Sequence, residues 1–73
     1  MLVLLFEDVT NQHNNSKEVG KFATPELALE GAKEHAEKNK YKSEMACADI
    51  EDGHLDAAFV IGGHLRLYRT EAA

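Results

Sequence analysis

The sequence predicts an α+β fold in which one helix packs on one face of an antiparallel sheet, with the element order β-β-α-β-β-β. Three observations predict it: an apolar run opens the chain, a capped amphipathic segment starts near Thr24, and the stretch from Ser43 to Thr70 has the pattern of three strands joined by two glycine turns. At 73 residues we expect a single small domain, close to the size below which disulfides or metals become necessary.

Composition narrows the class of protein. The formal net charge is −5 and no basic stripe runs along the chain, which argues against direct nucleic-acid binding. The single cysteine, Cys47, excludes an internal disulfide and favours a reducing, cytoplasmic setting. The opening apolar run lacks a basic region before it and meets Glu7 and Asp8, so we interpret it as a buried strand and expect no membrane association.

The first half of the chain contains two strands and the helix. Leu2 to Val9 is apolar on both sides, as in a central strand, and Thr10 to Ser16 is polar turn material. Lys17 to Phe22 is a weaker, edge-type strand with lysines that discourage foreign pairing. Thr24-Pro25-Glu26 begins a helix that should run to about Asn39. Its small buried face is predicted to consist of Ala28, Leu29, Ala32 and Ala36.

The Asp52-Gly53 dipeptide predicts a two-residue type I′ hairpin, because both loop residues need positive φ. This register pairs Ile50 with Leu55, Ala48 with Ala57 and Ala46 with Phe59, all apolar and all on one face.

Gly62-Gly63 marks the second hairpin, for which two registers are open. A two-residue loop would pair Ile61 with His64 and Phe59 with Arg66, whereas a three-residue loop pairs Ile61 with Leu65 and Phe59 with Leu67. We prefer the longer loop because it keeps apolar residues together. The helix-covered face is then predicted to consist of Ala46, Ala48, Ile50, Leu55, Ala57, Phe59, Ile61, Leu65 and Leu67.

The opposite face of this sheet is too apolar to be an ordinary solvated surface. It carries Arg66 and also places Asp49 opposite Asp56, which is unfavourable for like charges. We therefore expect it to be covered either by a partner or by a second copy in a homodimer. A homodimer, acting as a structural or regulatory subunit, would use an interface predicted to contain Met45, Cys47, Ala58, Val60 and Tyr68. These registers assume strands without a β-bulge.

Acidic side chains gather at one end of the predicted sheet, with Glu7 and Asp8 as possible additions. They give either plain surface charge or a surface that complements a basic protein partner. The binding hypothesis assigns partner contacts to Asp49, Glu51, Asp52, Asp56, Val60 and Tyr68.

An enzyme is the least favoured class. A metal-assisted hydrolase would use His54 or His64 with Asp56, but the four histidines lack the close spacing of metal ligands. Cys47 has no histidine in its predicted neighbourhood, so a nucleophile–base pair is not expected either. The sequence has no glycine-rich phosphate loop, and we expect no cofactor.

The layout resembles that of small phage-encoded accessory proteins of the anti-CRISPR type. The resemblance covers an opening apolar strand, Phe22-Ala23-Thr24 leading into an alanine-rich helix, and Ile50-Glu51-Asp52-Gly53 turning into closing hairpins. It is a likeness of architecture and carries over no functional residue. The resemblance implies a non-enzymatic binding protein more than it implies any target, and one hypothesis is an inhibitor of a host defence (CRISPR-Cas) complex that acts in the host cytoplasm.

Overall fold

The computed structural model describes residues 1–8, 16–38 and 42–73. Its elements are β1 (Leu2–Asp8), β2 (Lys17–Phe22), α1 (Pro25–Glu37), β3 (Ser43–Glu51), β4 (His54–Ile61) and β5 (His64–Ala72). The five strands form one antiparallel sheet in the order β2-β1-β5-β4-β3. The predicted α+β class and element order are confirmed. Most of the predicted turn from Thr10 to Ser16 and the predicted helix end at Asn39 lie outside the described residues.

The hairpin of β3 and β4 forms around the predicted Asp-Gly turn. Asp52 and Gly53 have φ of 52° and 77°, the left-handed values that a type I′ turn requires. Ile50 pairs with Leu55 and Ala48 with Ala57, as predicted.

The pairing predicted farther along this hairpin is wrong, because a β-bulge intervenes between Met45 and Cys47. Phe59 pairs with Met45 instead of Ala46. Since Phe59 lies on the helix-covered face, the bulge also moves Met45 to that side of the sheet, away from the face that carries Cys47.

The second hairpin has a two-residue loop, so the preferred three-residue register is wrong. Gly62 and Gly63 have φ of 59° and 81°, and Ile61 pairs with His64. The cause is the glycine pair itself, since both loop residues adopt the left-handed conformation of a type I′ turn. The one-residue difference exchanges the faces of β5: Leu65 and Leu67 lie away from the helix, while Arg66 and Tyr68 lie on the helix side.

The helix begins as predicted. Thr24 is the N-cap, with its Oγ1 accepting a hydrogen bond of 3.2 Å from the Leu27 amide, and Pro25 opens the first turn. Three alanines of the predicted buried face are fully buried, and Leu29 packs partly buried against the same core. Small side chains let the helix lie close to the sheet, where the core consists of Leu4, Ala28, Ala32, Ala36, Leu55, Ala57, Phe59, Ile61 and Tyr68.

Tyr68 is the centre of that core and is fully buried. Its ring centroid lies 5.0 Å from that of Phe6 and 5.3 Å from that of Phe59, distances typical of favourable aromatic pairs. Its hydroxyl oxygen lies 2.7 Å from Nδ1 of His35 on the helix. Burial raises the pKa of Tyr68 to about 12, against a smaller lowering by Arg66.

Two charged groups predicted elsewhere form an ion pair at the Gly-Gly end of the sheet. Arg66, which the wrong register placed on the outer face, lies opposite Asp8 and donates a 2.8 Å hydrogen bond from Nη1 to Oδ1. The suggestion that Glu7 and Asp8 join the acidic end is also wrong, because they pair with Leu67 and Arg66, near the other end of β4 and β5. Among the described residues, no helix has the length and apolar character needed to cross a membrane.

Candidate protein-binding surface

The sheet face opposite the helix, here called the open face, carries an apolar patch, with Glu44 opposite Val60 on one side and Glu7 opposite Leu67 on the other. Its middle is formed by Val60 paired with Leu65 and by Ala58 paired with Leu67. Val60 and Leu65 are 36% and 39% exposed, and Leu67 is half-buried by its neighbours. Within residues 1–8, 16–38 and 42–73 no helix or strand packs over this face. On β1 the alternation of side chains places Val3 and Leu5 on the same face, opposite Glu71 and Arg69 of β5.

Charged residues border the patch on the side of the Asp-Gly turn. Asp49 lies directly opposite Asp56, as predicted, and Asp56 lies opposite Arg69 on β5. Glu51 is the next residue of β3 whose side chain lies on the open face, and it pairs with His54. The border is therefore acidic at β3 and becomes basic only at Arg69, whose Nη2 also lies 3.9 Å from Oε1 of Glu71.

An open depression of about 400 Å³ lies at the same end of the sheet. Part of its wall is fixed by Thr70, whose Oγ1 accepts a 2.8 Å hydrogen bond from the Leu55 amide and lies 3.2 Å from Nδ1 of His54. Thr70 thereby satisfies a backbone donor where the β4–β5 pairing ends. The depression is lined by Asp49, Glu51, Asp52, His54, Leu55, Asp56, Arg69 and Thr70.

The charged side chains that line this depression are mostly acidic. All of its carboxylates belong to exposed residues, where they remain solvated and attract cations or basic side chains.

The histidines proposed for a metal-assisted hydrolase lie far from each other. His54 and His64 flank the two ends of β4 (His54–Ile61), so only His54 is near Asp56. The described residues contain no group of three or more His, Cys, Asp or Glu side chains suited to holding a metal ion.

The predicted partner-binding residues separate into two groups. Asp49, Glu51, Asp52, Asp56 and Val60 are exposed, the four acids at one end of the sheet and Val60 in the open-face patch. Tyr68 is fully buried in the core, so its placement on the outer face is wrong.

The predicted dimer-interface residues divide in the same way. Cys47 pairs with Ala58 on the open face beside Val60, whereas Met45 is moved to the other side by the bulge and Tyr68 is buried. Sequence reasoning missed Leu65 and Leu67 as surface residues. The signal that would have found them was the Gly-Gly pair, which on its own favours a two-residue loop.

Fold and surface together define a class: a small α+β protein whose described part carries an apolar sheet face with an acidic border. Comparisons of this chain with protein-family models, with curated proteins and with solved structures found no match.

Proposed function

We propose that this protein is a non-enzymatic binding module that docks its open face onto a protein partner with a basic surface. The observation that supports the proposal most is the apolar patch around Val60 and Leu65, exposed on the face away from the helix. Soluble proteins seldom expose large contiguous apolar patches unless these are functional. The acidic border at Asp49 and Asp56 then favours a partner with lysine or arginine around its own apolar centre.

The resemblance to small phage-encoded inhibitors suggests one class of target. Proteins of a host defence complex that hold nucleic acid present basic surfaces, and an acidic, partly apolar inhibitor could occupy such a surface. The setting would be the host cytoplasm, which agrees with a lone, exposed cysteine that has no disulfide partner.

The test is quantitative capture of partners by tagged protein, comparing the wild type with surface variants. Val60→Glu should remove capture because it places a charge in the apolar patch, and Asp49→Lys with Asp56→Lys should weaken it by reversing the border. The matched control is Glu30→Lys with Glu34→Lys on the exposed side of the helix, which changes the net charge by the same amount. Equal loss in the control would show that only net charge matters, and unchanged capture by Val60→Glu would refute the proposal.

A homodimer is the second candidate, and the neighbouring apolar side chains of Cys47, Ala58, Val60 and Leu65 favour it. Light scattering over a concentration series measures the mass directly. A stable dimer that Val60→Glu converts to monomers supports self-association, whereas a wild type that stays monomeric at high concentration eliminates it.

A further inference from the structure

The two edges of the sheet differ in how well they are protected. β2 forms one edge, where Lys17 and Lys21 discourage strand pairing and the helix packs against Phe22. β3 forms the other edge and has nine residues, all exposed except Ser43. Among the described residues no strand pairs with its outer side.

The turn geometry shows which backbone groups β3 presents on that side. Glu51 and His54 flank the two-residue loop and share its hydrogen bond, so the next pair, Ile50 and Leu55, is a pair without mutual hydrogen bonds. The Leu55 amide confirms this alternation, since it turns away from β3 and donates to Thr70 Oγ1 at 2.8 Å. Ile50 and Ala48 therefore direct their N–H and C=O groups outward, where another strand can bind them.

The side chains along β3 alternate between two chemistries. Asp49 and Glu51 lie on the open-face side, and Asp49 already faces Asp56 on its inner side. Ala48 and Ile50 lie on the helix side, and Ile50 is 42% exposed because the helix does not cover it. A strand added to this edge gains most if its residues are basic on one side and apolar on the other.

We propose that the β3 edge binds an extended segment of a partner protein in which basic and apolar residues alternate, by strand addition next to Ala48 and Ile50. The inference rests on the proposed binding function and specifies its mode and the chemistry of the partner. A basic residue opposite Asp49 offsets the repulsion between Asp49 and Asp56.

A second copy of the same chain is a poorer occupant of this edge. β3 carries Glu44, Asp49 and Glu51 and no basic residue, so pairing it with itself would bring six carboxylates onto one ribbon. The charge of β3 thus selects a foreign, basic strand.

The test uses a capped octapeptide of alternating lysine and valine, with a block isomer of the same composition as its control. Amide hydrogen exchange is followed by NMR in the full-length protein. At a peptide concentration of about ten times its Kd, the alternating peptide should slow exchange at Ala48 and Ile50 about tenfold. Equal protection by the block isomer, protection only at other sites, or no binding at millimolar peptide would overturn the proposal. Protection of Ala48 and Ile50 that develops with protein concentration alone would also overturn it, because a second copy would then occupy the edge.

Backbone-modified probes separate strand addition from simple charge attraction. N-methylation of alternate amides on one edge of the peptide should abolish binding, while N-methylation on the other edge should preserve it. If the two modified peptides bind equally well, strand addition is contradicted. This experiment requires no substitution in the protein.

A pair of protein variants separates this inference from the proposed function. Ala48→Pro removes an outward N–H that the β3–β4 ladder does not use, so the fold should survive and peptide binding should fall. Val60→Glu should leave peptide binding unchanged while removing capture through the open face. If a folded Ala48→Pro variant still binds the peptide, strand addition is refuted but open-face docking is not. If Val60→Glu still captures the partner, open-face docking is refuted but strand addition is not.

Discussion

The hydrogen bond between His35 and Tyr68 joins the helix to the middle of the sheet. His35 packs with its ring centroid 5.0 Å from that of Phe6 and 5.6 Å from that of Tyr68. Burial, and secondarily the positive charge of Lys38, lowers the pKa of His35 below its ordinary value of 6.5. We therefore expect the His35 imidazole to make the stability of the fold depend on pH.

The free energy of unfolding should fall as the pH is lowered through the region below about 6.5. In that region the unfolded chain binds more protons at His35 than the folded chain does, so acid favours unfolding, while the full contribution is present above it. Urea unfolding at a series of pH values measures the slope. His35→Gln should flatten the slope. An identical slope in the wild type and His35→Gln would contradict this assignment.

The elements show which parts of the fold could be predicted. Thr24-Pro25 and Asp52-Gly53 are local signals in which side-chain or backbone chemistry alone determines the structure, and both were predicted correctly. The Asp49–Asp56 pair of the candidate site follows from the same turn, which lies only a few residues away. Predictions held where such a signal was followed, and the register at Gly62-Gly63 is wrong because apolar pattern was preferred to the same kind of turn signal.

The register of the second hairpin was predicted wrongly because the apolar pattern was preferred to the turn preference of the Gly-Gly pair. Leu65 and Leu67 have the composition of core residues, yet Tyr68 fills the core because its ring packs against Phe6 and Phe59 and its hydroxyl reaches His35. The sheet is apolar on both faces, so apolar pattern alone could not select the register. The bulge at Met45 has no local sequence signal, and its effect on the face assignment could not be predicted.

The contact between the helix and β2 depends on a glycine. A Cβ atom at Gly31 would lie 2.3 Å from Cζ of Phe22, so the ring occupies the space that a side chain would need. Gly31→Ala should destabilise the protein by up to about 2 kcal/mol, the difference between an overpacking cost of about 1–3 kcal/mol and the roughly 1 kcal/mol that alanine gains in a helix. Urea unfolding with CD detection measures the change.

The control for Gly31→Ala is a background in which the same substitution should change the free energy of unfolding in the opposite direction. In a Phe22→Ala background the obstruction is gone, and Gly31→Ala should stabilise by about 1 kcal/mol relative to that background. Gly20→Ala on β2 is the matched single variant, since its Cβ would lie at an ordinary 3.4 Å from the same ring and should be tolerated. The same cost for Gly31→Ala in both backgrounds would mean that Phe22 is not the obstacle.

At the scale of the whole molecule, the two proposed binding surfaces meet at Asp49. The open face ends there with its acidic border, and the outward N–H and C=O groups of the β3 edge belong to Ala48 and Ile50 on either side of Asp49. A strand added to β3 would extend the sheet from five to six strands and enlarge the open face. One partner could therefore contact both surfaces, with a strand along the edge and a basic, apolar surface across the sheet.

The net charge of −5 makes the opposed aspartates costly to the isolated protein. Asp49→Asn should raise the free energy of unfolding by roughly 0.2–1 kcal/mol, because it removes a like-charge pair across adjacent strands. Asp56→Asn is the matched control: it removes the same repulsion but also places a neutral residue opposite Arg69, so its gain should be smaller than that of Asp49→Asn. The gain should vanish at about 1 M salt, where charges are screened within about 3 Å.

The same substitution should have the opposite effect on binding, which links stability to function. If Asp49 is retained because a basic partner residue lies against it, then Asp49→Asn should weaken partner capture and binding of the alternating peptide while it stabilises the free protein. Urea unfolding and peptide titration on the same preparations measure both quantities. A variant that is more stable and binds equally well would show that the aspartate pair is ordinary surface charge, and a variant that is less stable would show that the pair is not repulsive in the folded protein.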